Sequence, residues 1–422
     1  MSNQIDNKAQ ENESQATTIH CFQGTEDLLE NINNKDKKEK IKAVLFDLFN
    51  IKNVNFLFGA GTSSGAIPTM DKLKECVIRE LDNEEKELFD KNDKQNLEKT
   101  LGILYSGKTY LKNNLQSKDN SEFDTLESLI KKIEETIFQE INIEIGINCE
   151  DKFQEKYKAQ KEVFENYMKF YKKVTYRNKD LNRVNVFTTN NDLFNEYVLD
   201  YLNIDYNNGF GGGLKRSFNP ARFEYVFAKK MDEGIEKYEP LNHMIYLYKL
   251  HGSINWIETK NHNSFFDIEE IYLKSEDKKP KETCLIYPTP LKEGKSLTSP
   301  YTDLIREFQK KLSLPNSVLF IIGYSFSDEH INTIIYRALA SNNSLSVVVF
   351  ADKDKLARIP LFSINDKRIY VIYGKYEGKT IHYFNYFVDE LIPEQKQNEE
   401  DEIYKKFASM VKNVTGDKND CG

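Results

Sequence analysis

Four short segments place small, hydroxyl-bearing or ionisable side chains directly after apolar runs, where they could contact a ligand. The first, residues 58–68, has the sequence FGAGTSSGAIP. Gly59 and Gly61 allow a tight turn and a close approach to an anion, and Thr62, Ser63 and the next serine add hydroxyl donors. The spacing G-x-G-x-x-x-G is one residue longer than the dinucleotide fingerprint, and no lysine follows as in a P-loop. Taken alone, the segment is compatible with an anion-binding loop and with an unliganded strand-to-helix turn.

The second segment, residues 188–192, has the sequence TTNND and follows another apolar run. Ligands of open α/β sheets bind beyond the carboxyl ends of strands, so these side chains are candidates for ligand contact. An Asx-type turn, in which Asp192 caps the next helix, is the structural alternative. A cap accounts for Asp192, but it does not account for two adjacent asparagines behind two threonines.

The third segment, residues 248–256, has the sequence YKLHGSINW and contains the only tryptophan and one of six histidines. An imidazole titrates near neutral pH and is therefore suited to moving a proton. Gly252 leaves one face of His251 open to a ligand, a setting that the other five histidines lack. The alternative is a structural histidine, which is the commoner role of an isolated one. No H-x-x-x-H pair indicates a metal.

The fourth segment, residues 323–328, has the sequence GYSFSD and places Gly323 and Ser325 after a further apolar run. Ser327 or Asp328 is suited to cap the following helix. Capping and ligand contact are compatible, because the N-terminus of a capped helix can also face a ligand.

Apolar runs predict five buried strands, at residues 54–58, 184–187, 318–322, 346–350 and 369–373. Strands that are apolar throughout are typical of sheets covered by helices on both faces. Helical patterns separate the runs, for example at residues 328–341, and this alternation favours a parallel α/β sheet with right-handed crossovers. Residues 25–48 predict a further helix. Helical spacing between residues 69 and 179 predicts several more, as at Leu126, Leu129, Ile130 and Ile133.

Composition sets limits on the class of protein. The 422 residues are 39% hydrophobic and 12% aromatic, enough to fill a large core, and the net charge of −8 disfavours direct binding of nucleic acid. No run approaches the ~20 apolar residues that span a membrane, and the polar N-terminus does not resemble a secretory signal. Five scattered cysteines form no C-x-x-C pair, which argues against a disulfide framework and a tetrathiolate zinc site. We therefore expect a cytoplasmic protein.

In order along the chain, GAGTSSGAIP, TTNND, KLHGS and IIGYSFSDEHI resemble the motifs of the sirtuin catalytic domain. They are most similar to those of its bacterial antiviral-defence branch, in which TTNxD, KLHGSxxW and GYSFxDxHI recur. The resemblance implies a Rossmann-like parallel sheet that binds NAD, with a helical subdomain inserted at about residues 70–183. It also implies a catalytic domain over residues 25–392, between a polar tail at 1–24 and a charged tail at 393–422.

The resemblance also implies roles for individual residues. Asn190 and His251 match the catalytic asparagine and histidine of the family, and Asp192 matches the acidic residue two positions after the asparagine. The residues that match its cofactor-binding positions are Gly59, Ala60, Gly61, Thr62, Ser63, Thr189, Gly323, Ser325 and Asp352. For the last position, Asp354 is an alternative.

Two departures bear on the activity. Deacylating sirtuins carry two C-x-x-C pairs that hold a structural zinc, and Phe-Arg after the Ile-Pro, where this chain has Thr69 and Met70. Their absence implies that there is no zinc module and argues against acyl-lysine chemistry. The resemblance thus implies an NAD hydrolase that depletes NAD in an anti-phage system. A protein deacylase and a non-catalytic NAD or ADP-ribose binding module are the alternatives.

The mechanism that we expect uses three of these residues. Asn190 contacts the ribose hydroxyls or positions a water, His251 accepts a proton, and Asp192 orients Asn190 or the nicotinamide amide. Such an enzyme must stay inactive until triggered, and the sequence contains no sensor that we can identify. By analogy with compact defence sirtuins we expect a homo-oligomer that pairs with a HerA-like hexameric ATPase, with an Argonaute-type partner as the alternative.

Overall fold

The structure is a computed structural model. It describes residues 17–92, 97–114, 121–143, 155–175, 177–178, 180–231, 237–241, 243–259, 267–274, 277, 279–280, 283–285 and 299–392. The predicted charged tail from residue 393 and most of the predicted polar tail lie outside these residues. Among the helices described, none is both long enough and apolar enough to cross a membrane.

The strands, in chain order, are β1 (His20–Gln23), β2 (Glu26–Asp27), β3 (Asn53–Phe58), β4 (Val184–Thr188), β5 (Tyr206–Asn207), β6 (Phe210–Gly211), β7 (Arg216–Phe218), β8 (Ala228–Lys230), β9 (Tyr238–Pro240), β10 (Ile245–Lys249), β11 (Gly252–Glu258), β12 (Ile268–Glu270), β13 (Thr283–Leu285), β14 (Ser317–Ile322), β15 (Leu345–Ala351), β16 (Ile369–Tyr373), β17 (Lys375–Tyr376) and β18 (Lys379–Thr380). All five predicted strands are present as β3, β4, β14, β15 and β16.

A nine-stranded sheet forms the centre of the molecule, in the order β2-β1-β16-β15-β14-β3-β4-β10-β5. From β16 to β5 each strand is parallel to its neighbours, and β1 and β2 pair antiparallel at one edge. The order from β10 to β16 is that of doubly wound sheets that bind dinucleotides, in which the chain starts at the centre and builds outward in both directions. The predicted parallel α/β class is therefore confirmed.

The helices are α1 (Asn34–Phe49), α2 (Met70–Glu80), α3 (Asn83–Asn92), α4 (Leu97–Asn114), α5 (Ser121–Ile141), α6 (Glu155–Thr175), α7 (Phe194–Tyr201), α8 (Tyr301–Leu312), α9 (Glu329–Ser341) and the short α10 (Phe384–Tyr386), which continues into a π-helical turn (Phe387–Leu391). Short 3-10 turns occur at Ala60–Ser63, Pro220–Glu224, Lys353–Arg358 and Pro360–Ser363.

Helices cover both faces of the sheet, which explains why its strands are apolar on both faces. Every residue of β3 and of β14 is buried. On one face Phe56 packs edge-on against Phe170 of α6, with ring centroids 4.9 Å apart. On the other face Phe187 packs against Phe308 of α8, at 4.7 Å. Each such ring contributes about 1.5–3 kcal/mol by leaving water.

The helices inserted after β3 belong to two cores. In α2 to α5, the side chains of Leu73, Phe89, Leu101 and Leu129 lie in a hydrophobic cluster separate from the sheet. The leucine and isoleucine spacing that predicted α5 marks its buried stripe. Helix α6 instead joins the layer over the main sheet through residues such as Phe170. Of the helices within the predicted insertion at about residues 70–183, α2 to α5 form this separate cluster, whereas α6 packs on the main sheet.

Two predictions near the N-terminus are wrong. The polar tail was expected to reach residue 24, but β1 (His20–Gln23) pairs with β16 and buries Cys21. The helix expected over residues 25–48 starts only at Asn34. The reason is Asp27, whose Oδ1 accepts the backbone N–H groups of Cys21 at 3.1 Å and Leu29 at 3.0 Å. This side chain stabilises a turn in place of a first helical segment.

Strand β10 of the main sheet was not predicted. A second sheet, which is antiparallel, was also not predicted. The second sheet has the order β13-β11-β12-β7-β6. Its strands are two to seven residues long and carry charged residues, so they lack the apolar runs that mark the main sheet. Its interior is aromatic, because Trp256 packs against Phe210 with ring centroids 4.9 Å apart. Its longest strand, β11, is separated from the end of β10 by two residues.

Candidate active site

The glycine-rich loop after β3 packs directly against the loop after β14. Gly61 donates its N–H to the Gly323 carbonyl at 2.9 Å. A Cβ on Gly61 would lie 2.6 Å from the Gly323 Cα, and a Cβ on Gly323 would lie 2.6 Å from the Thr62 nitrogen. Gly323 also has φ +66°, a conformation that favours glycine. Contact between the two loops therefore requires glycine at both positions, whereas the sequence had suggested a tight turn and the approach of an anion.

Alanine substitutions at two glycines test this contact, because the φ values of Gly61 and Gly213 are ones that alanine can adopt. We expect Gly61→Ala to lower the free energy of unfolding by about 1–3 kcal/mol, because the loops must separate to admit the methyl group. Gly213→Ala, where an added Cβ meets nothing within 4 Å, should change stability by less than about 0.5 kcal/mol. Urea denaturation measures both. Equal midpoints for the two variants would contradict the packing of these loops.

The side chain of Asn190 is held by hydroxyls of the glycine-rich loop. Its Nδ2 donates to Thr62 Oγ1 at 3.1 Å and to Ser63 Oγ at 3.2 Å, and its backbone N–H donates to Thr188 Oγ1 at 3.0 Å. The residue is 7% exposed. Because both amide hydrogens point at the loop, the amide oxygen is the atom that can accept a hydrogen bond from a ligand.

Tyr167 of α6 completes this network, and sequence reasoning missed it. Its hydroxyl lies 2.7 Å from Thr62 Oγ1 and 3.4 Å from Ser63 Oγ. Burial raises the pKa of Tyr167, so the phenol keeps its proton and its hydrogen-bonding capacity. The only signal in the sequence is helical spacing with Val163, Phe170 and Val174, which marks a buried face but no function.

Asp192 bonds both to the start of the following helix and to the glycine-rich loop. Its Oδ1 accepts the N–H of Phe194 at 3.2 Å, at the start of α7, and its Oδ2 accepts from Ser63 Oγ at 2.9 Å. Ser63 therefore connects Asp192 to Asn190. Burial raises the pKa of Asp192, while the nearby charge of Lys249 and the bond from Ser63 act in the opposite direction.

This pKa shift predicts how stability depends on pH. The pKa of Asp192 is higher in the folded state than the ordinary carboxyl pKa of about 4. Its contribution to the free energy of unfolding is therefore fully present below a pH of about 4 and is lost as the pH rises through the raised folded-state pKa. We therefore expect Asp192→Asn to become progressively more stable relative to the native chain as the pH rises above about 4. Urea denaturation at a series of pH values measures the difference. A difference that does not change with pH would contradict this assignment.

Lys249 stabilises the turn that carries Asn190 and Asp192. Its fully buried ammonium donates to the Asp192 carbonyl at 2.5 Å and to Ser253 Oγ at 2.7 Å. It also pairs with Glu196 Oε1 of α7 at 2.9 Å. The sequence placed this lysine in the KLHGS motif but gave it no role, because a charge inside a strand of aromatic and aliphatic residues has no partner visible in the sequence.

The register of β4 and β10 brings Asn190 and His251 to the same edge. Thr188 pairs with Lys249 at the carboxyl ends of these parallel neighbours, so Asn190 and His251 each lie two residues beyond a paired position. The N–H of Leu250 donates to the Thr188 carbonyl at 2.8 Å, which continues the pairing.

The imidazole of His251 hydrogen-bonds to the carboxylate of Asp328, which follows strand β14. Its Nε2 lies 3.0 Å from Asp328 Oδ2, in the loop between β14 and α9. Asp328 Oδ1 accepts the N–H groups of His330 and Ile331, so Asp328, and not the alternative Ser327, is the helix cap. Its bond to His251 was not predicted, although Asp328 stands in the GYSFSD segment.

The other predicted residues lie along the same edge. Thr189 donates its N–H to the Phe58 carbonyl at 3.0 Å, and Ala60 is exposed. Ser325 Oγ is exposed and lies 2.8 Å from Ser327 Oγ. Asp352 accepts the N–H of Asp354 at 3.2 Å, after β15. The predicted residues therefore follow five adjacent strands: β15, β14, β3, β4 and β10.

Within the part of the chain that the structure describes, no three histidine, cysteine, aspartate or glutamate side chains cluster closely enough to hold a metal ion. The described site thus consists of amide, hydroxyl, carboxylate and imidazole groups around the carboxyl ends of the sheet.

Among solved structures, one described as "Structural Basis for the Mechanism and Regulation of Sir2 Enzymes" is 12% identical with a TM-score of 0.37, over 88% of this chain and 99% of that chain. The search of curated proteins found no match. Residues 184–372, which hold Asn190, His251 and Gly323, match the family model of the SIR2-like domain.

Proposed function

We propose that the chain hydrolyses NAD to nicotinamide and ADP-ribose. The observation that carries this proposal is the placement of Asn190 and His251 at adjacent strand ends, beside the glycine-rich loop, in a doubly wound sheet. Dinucleotides bind at this edge of such sheets. The match to the SIR2-like domain supports NAD as the substrate, because proteins with this domain use NAD.

Cleavage of the bond between ribose and nicotinamide requires correct orientation of NAD more than it requires a strong acid. Breaking the bond between ribose C1′ and the nicotinamide nitrogen develops positive charge on the sugar, as in glycoside hydrolysis. The electron pair of the bond passes to a nitrogen that is cationic in NAD, so nicotinamide leaves as a neutral molecule. The protein therefore has to hold the ribose and place a water.

In this proposal Asn190 and His251 divide that work. The amide oxygen of Asn190 accepts a hydrogen bond from a ribose hydroxyl or from the attacking water, since its Nδ2 is engaged by Thr62 and Ser63. As the water oxygen bonds to C1′, its proton passes to the imidazole of His251. Asp192 acts through Ser63, whose hydroxyl it fixes, and it orients Asn190 in this way.

The remaining residues are suited to the ADP portion. Gly59 to Ser63 and Gly323 lie at the centre of the edge, and Ser325 and Asp352 continue it. Four strand spacings separate β10 from β15, about 19 Å at the usual interstrand distance. An extended dinucleotide running along this edge would place its nicotinamide ribose near His251 and its adenosine near Asp352.

Chromatography of NAD incubated with the purified chain, alone and together with a candidate partner, tests this function. We expect equimolar nicotinamide and ADP-ribose in the absence of any acyl-peptide, and loss of both products in Asn190→Ala and His251→Ala. Deacylation of an acetyl-lysine peptide that outpaces NAD hydrolysis would instead establish a deacylase. Bound NAD that is never turned over would establish a binding module.

We further propose that this activity is the NAD-depleting step of a cytoplasmic anti-phage system. The support is the likeness of the four motifs to defence sirtuins, together with the need to hold such an activity inactive until infection. In phage-infected cells we expect NAD to fall only when the intact chain is present, and the Asn190→Ala chain should leave NAD unchanged. Unchanged NAD with the intact chain would contradict this role.

The proposed assembly is a homo-oligomer of this chain with a HerA-like hexameric ATPase, and an Argonaute-type protein is the alternative partner. Native mass spectrometry of the chain co-expressed with the product of the neighbouring reading frame tests the assembly. We expect one complex that contains several copies of both proteins. Separate species under all ionic strengths would contradict the pairing.

A further inference from the structure

The bond between His251 and Asp328 determines which imidazole nitrogen carries hydrogen. The two atoms, His251 Nε2 and Asp328 Oδ2, lie 3.0 Å apart. An ionised carboxylate has only acceptors, so the hydrogen of this bond must come from the ring. The neutral imidazole therefore carries its hydrogen on Nε2. Among the described residues, no hydrogen-bond partner is present for Nδ1.

Asp328 is well anchored for this task. Its Oδ1 accepts two backbone N–H groups, from His330 at 3.0 Å and from Ile331 at 3.2 Å, at the N-terminus of the 13-residue helix α9. Tyr324 donates its hydroxyl hydrogen to the Asp328 carbonyl at 3.1 Å. The helix N-terminus favours a negative charge at this position. The carboxylate is thus fixed by the helix, and the imidazole is fixed by the carboxylate.

We propose that Asp328 is a positioning residue that holds His251 with hydrogen on Nε2 and presents Nδ1 as the proton acceptor. The catalytic meaning of this arrangement rests on the proposed function, whereas the position of the hydrogen does not. During hydrolysis the water oxygen bonds to C1′ and the C1′–N electron pair leaves with nicotinamide. The water proton moves to Nδ1, and Asp328 stabilises the resulting imidazolium without taking a proton.

The chain contains a matched pair remote from the proposed chemistry. His20 Nδ1 lies 2.8 Å from Asp27 Oδ2, and Asp27 Oδ1 also accepts two backbone N–H groups. This pair belongs to β1 and β2 at the edge of the sheet. The substitution Asp27→Asn therefore controls for the general effect of removing a carboxylate that bonds to a histidine and stabilises a turn.

The test is the tautomer of His251 in the full chain, labelled with 15N-histidine and observed by long-range 1H–15N NMR. Asp328→Asn keeps a good helix cap, since asparagine and aspartate are about equal at that position, but it turns an N–H₂ donor toward Nε2. We expect hydrogen on Nε2 in the native chain and on Nδ1 in Asp328→Asn. In Asp328→Ser the hydroxyl caps the helix without reaching the ring, so His251 should show the mixture of both tautomers that a free imidazole has. Asp27→Asn should leave the His251 signals unchanged.

The proposal is overturned if native His251 carries hydrogen on Nδ1, or if Asp328→Asn and Asp328→Ser both leave its tautomer unchanged. Kinetics add a second readout. We expect kcat for NAD hydrolysis to fall about 10³-fold or more in Asp328→Asn, as for other catalytic histidines that lose their carboxylate, with KM changed less than about threefold. An unchanged kcat alongside an altered tautomer would also overturn the positioning role. If the tautomer changes as expected but the native chain never hydrolyses NAD, the proposed function fails and the tautomer assignment stands.

Discussion

Replacing Asn190 with alanine is expected to lower kcat for NAD hydrolysis by about 10³-fold, the size of effect seen when one oriented hydrogen-bonding group is removed from an active site. The amide is held in place before substrate binds, because Thr62 and Ser63 accept both of its hydrogens. Alanine removes this oriented oxygen and leaves the loop hydroxyls intact. Initial rates of nicotinamide release measure the effect.

The neighbouring asparagine supplies the control. Asn191 contributes its backbone carbonyl, which accepts the N–H of Ile254 at 3.1 Å, and alanine preserves that bond. Asn191→Ala should therefore retain kcat within about threefold, since a substitution that keeps the backbone contacts usually has a small effect. Equal losses in the two variants would indicate that the turn as a whole, and not the Asn190 amide, is what matters.

Replacing Lys249 with methionine is expected to lower the free energy of unfolding by about 3–5 kcal/mol, because it leaves a buried Glu196 carboxylate without its partner. The variant also removes the donor that bonds the Asp192 carbonyl and Ser253. The turn that carries Asn190 should loosen, so kcat should fall with stability. Urea denaturation measures the first effect, and nicotinamide release measures the second.

Two comparisons make this prediction specific. The double substitution Lys249→Met with Glu196→Leu should recover much of the lost stability, because an apolar pair replaces an unpaired charge. It should not recover activity, since the donor to the Asp192 carbonyl is still missing. Lys38→Met, which breaks the partly exposed pair with Glu390, should cost less than about 1 kcal/mol. A similar loss in Lys38→Met and Lys249→Met would refute the special role of the buried pair.

The sequence predicted the centre of the fold because its strands are buried on both faces. The runs that became β3, β4, β14, β15 and β16 are mostly apolar, with Asn55 and Asn185 as buried exceptions, and the helices between them favour parallel crossovers. That geometry alone brings the ends of β3, β4 and β14 to one edge. The neighbourhood of Asn190 and the glycine-rich loop was therefore accessible from the pattern of strands and from the motifs that follow them.

The contacts within the site were harder to predict from the sequence, because they join residues far apart in the chain. Tyr167 reaches Thr62 across the whole helical insertion, and its helix shows only that the face is buried. Lys249 lies inside β10, which pairs with β4. Its partners come from the turn after β4 and from α7. The link from His251 to Asp328 spans 77 residues, and the capping role of Asp328 was sufficient to explain its presence.

The elements that were missed share a different physical cause. Strand β1 has only four residues, and it is held by pairing with β16 and by the Asp27 turn rather than by an apolar run. The strands of the second sheet are short, and their cross-strand pairs include Arg216 with Glu270. Pairing partners and register are set by tertiary contacts, so such strands leave little periodic signal in the sequence.

A structure of the Asn190→Ala chain with bound NAD tests the central claim most directly, because slow turnover preserves the dinucleotide. We predict that C1′ of the nicotinamide ribose lies between residue 190 and the imidazole of His251. The phosphates should lie over the ends of β3 and β14. NAD bound at another edge of the sheet, or with its nicotinamide ribose remote from His251, would contradict the account.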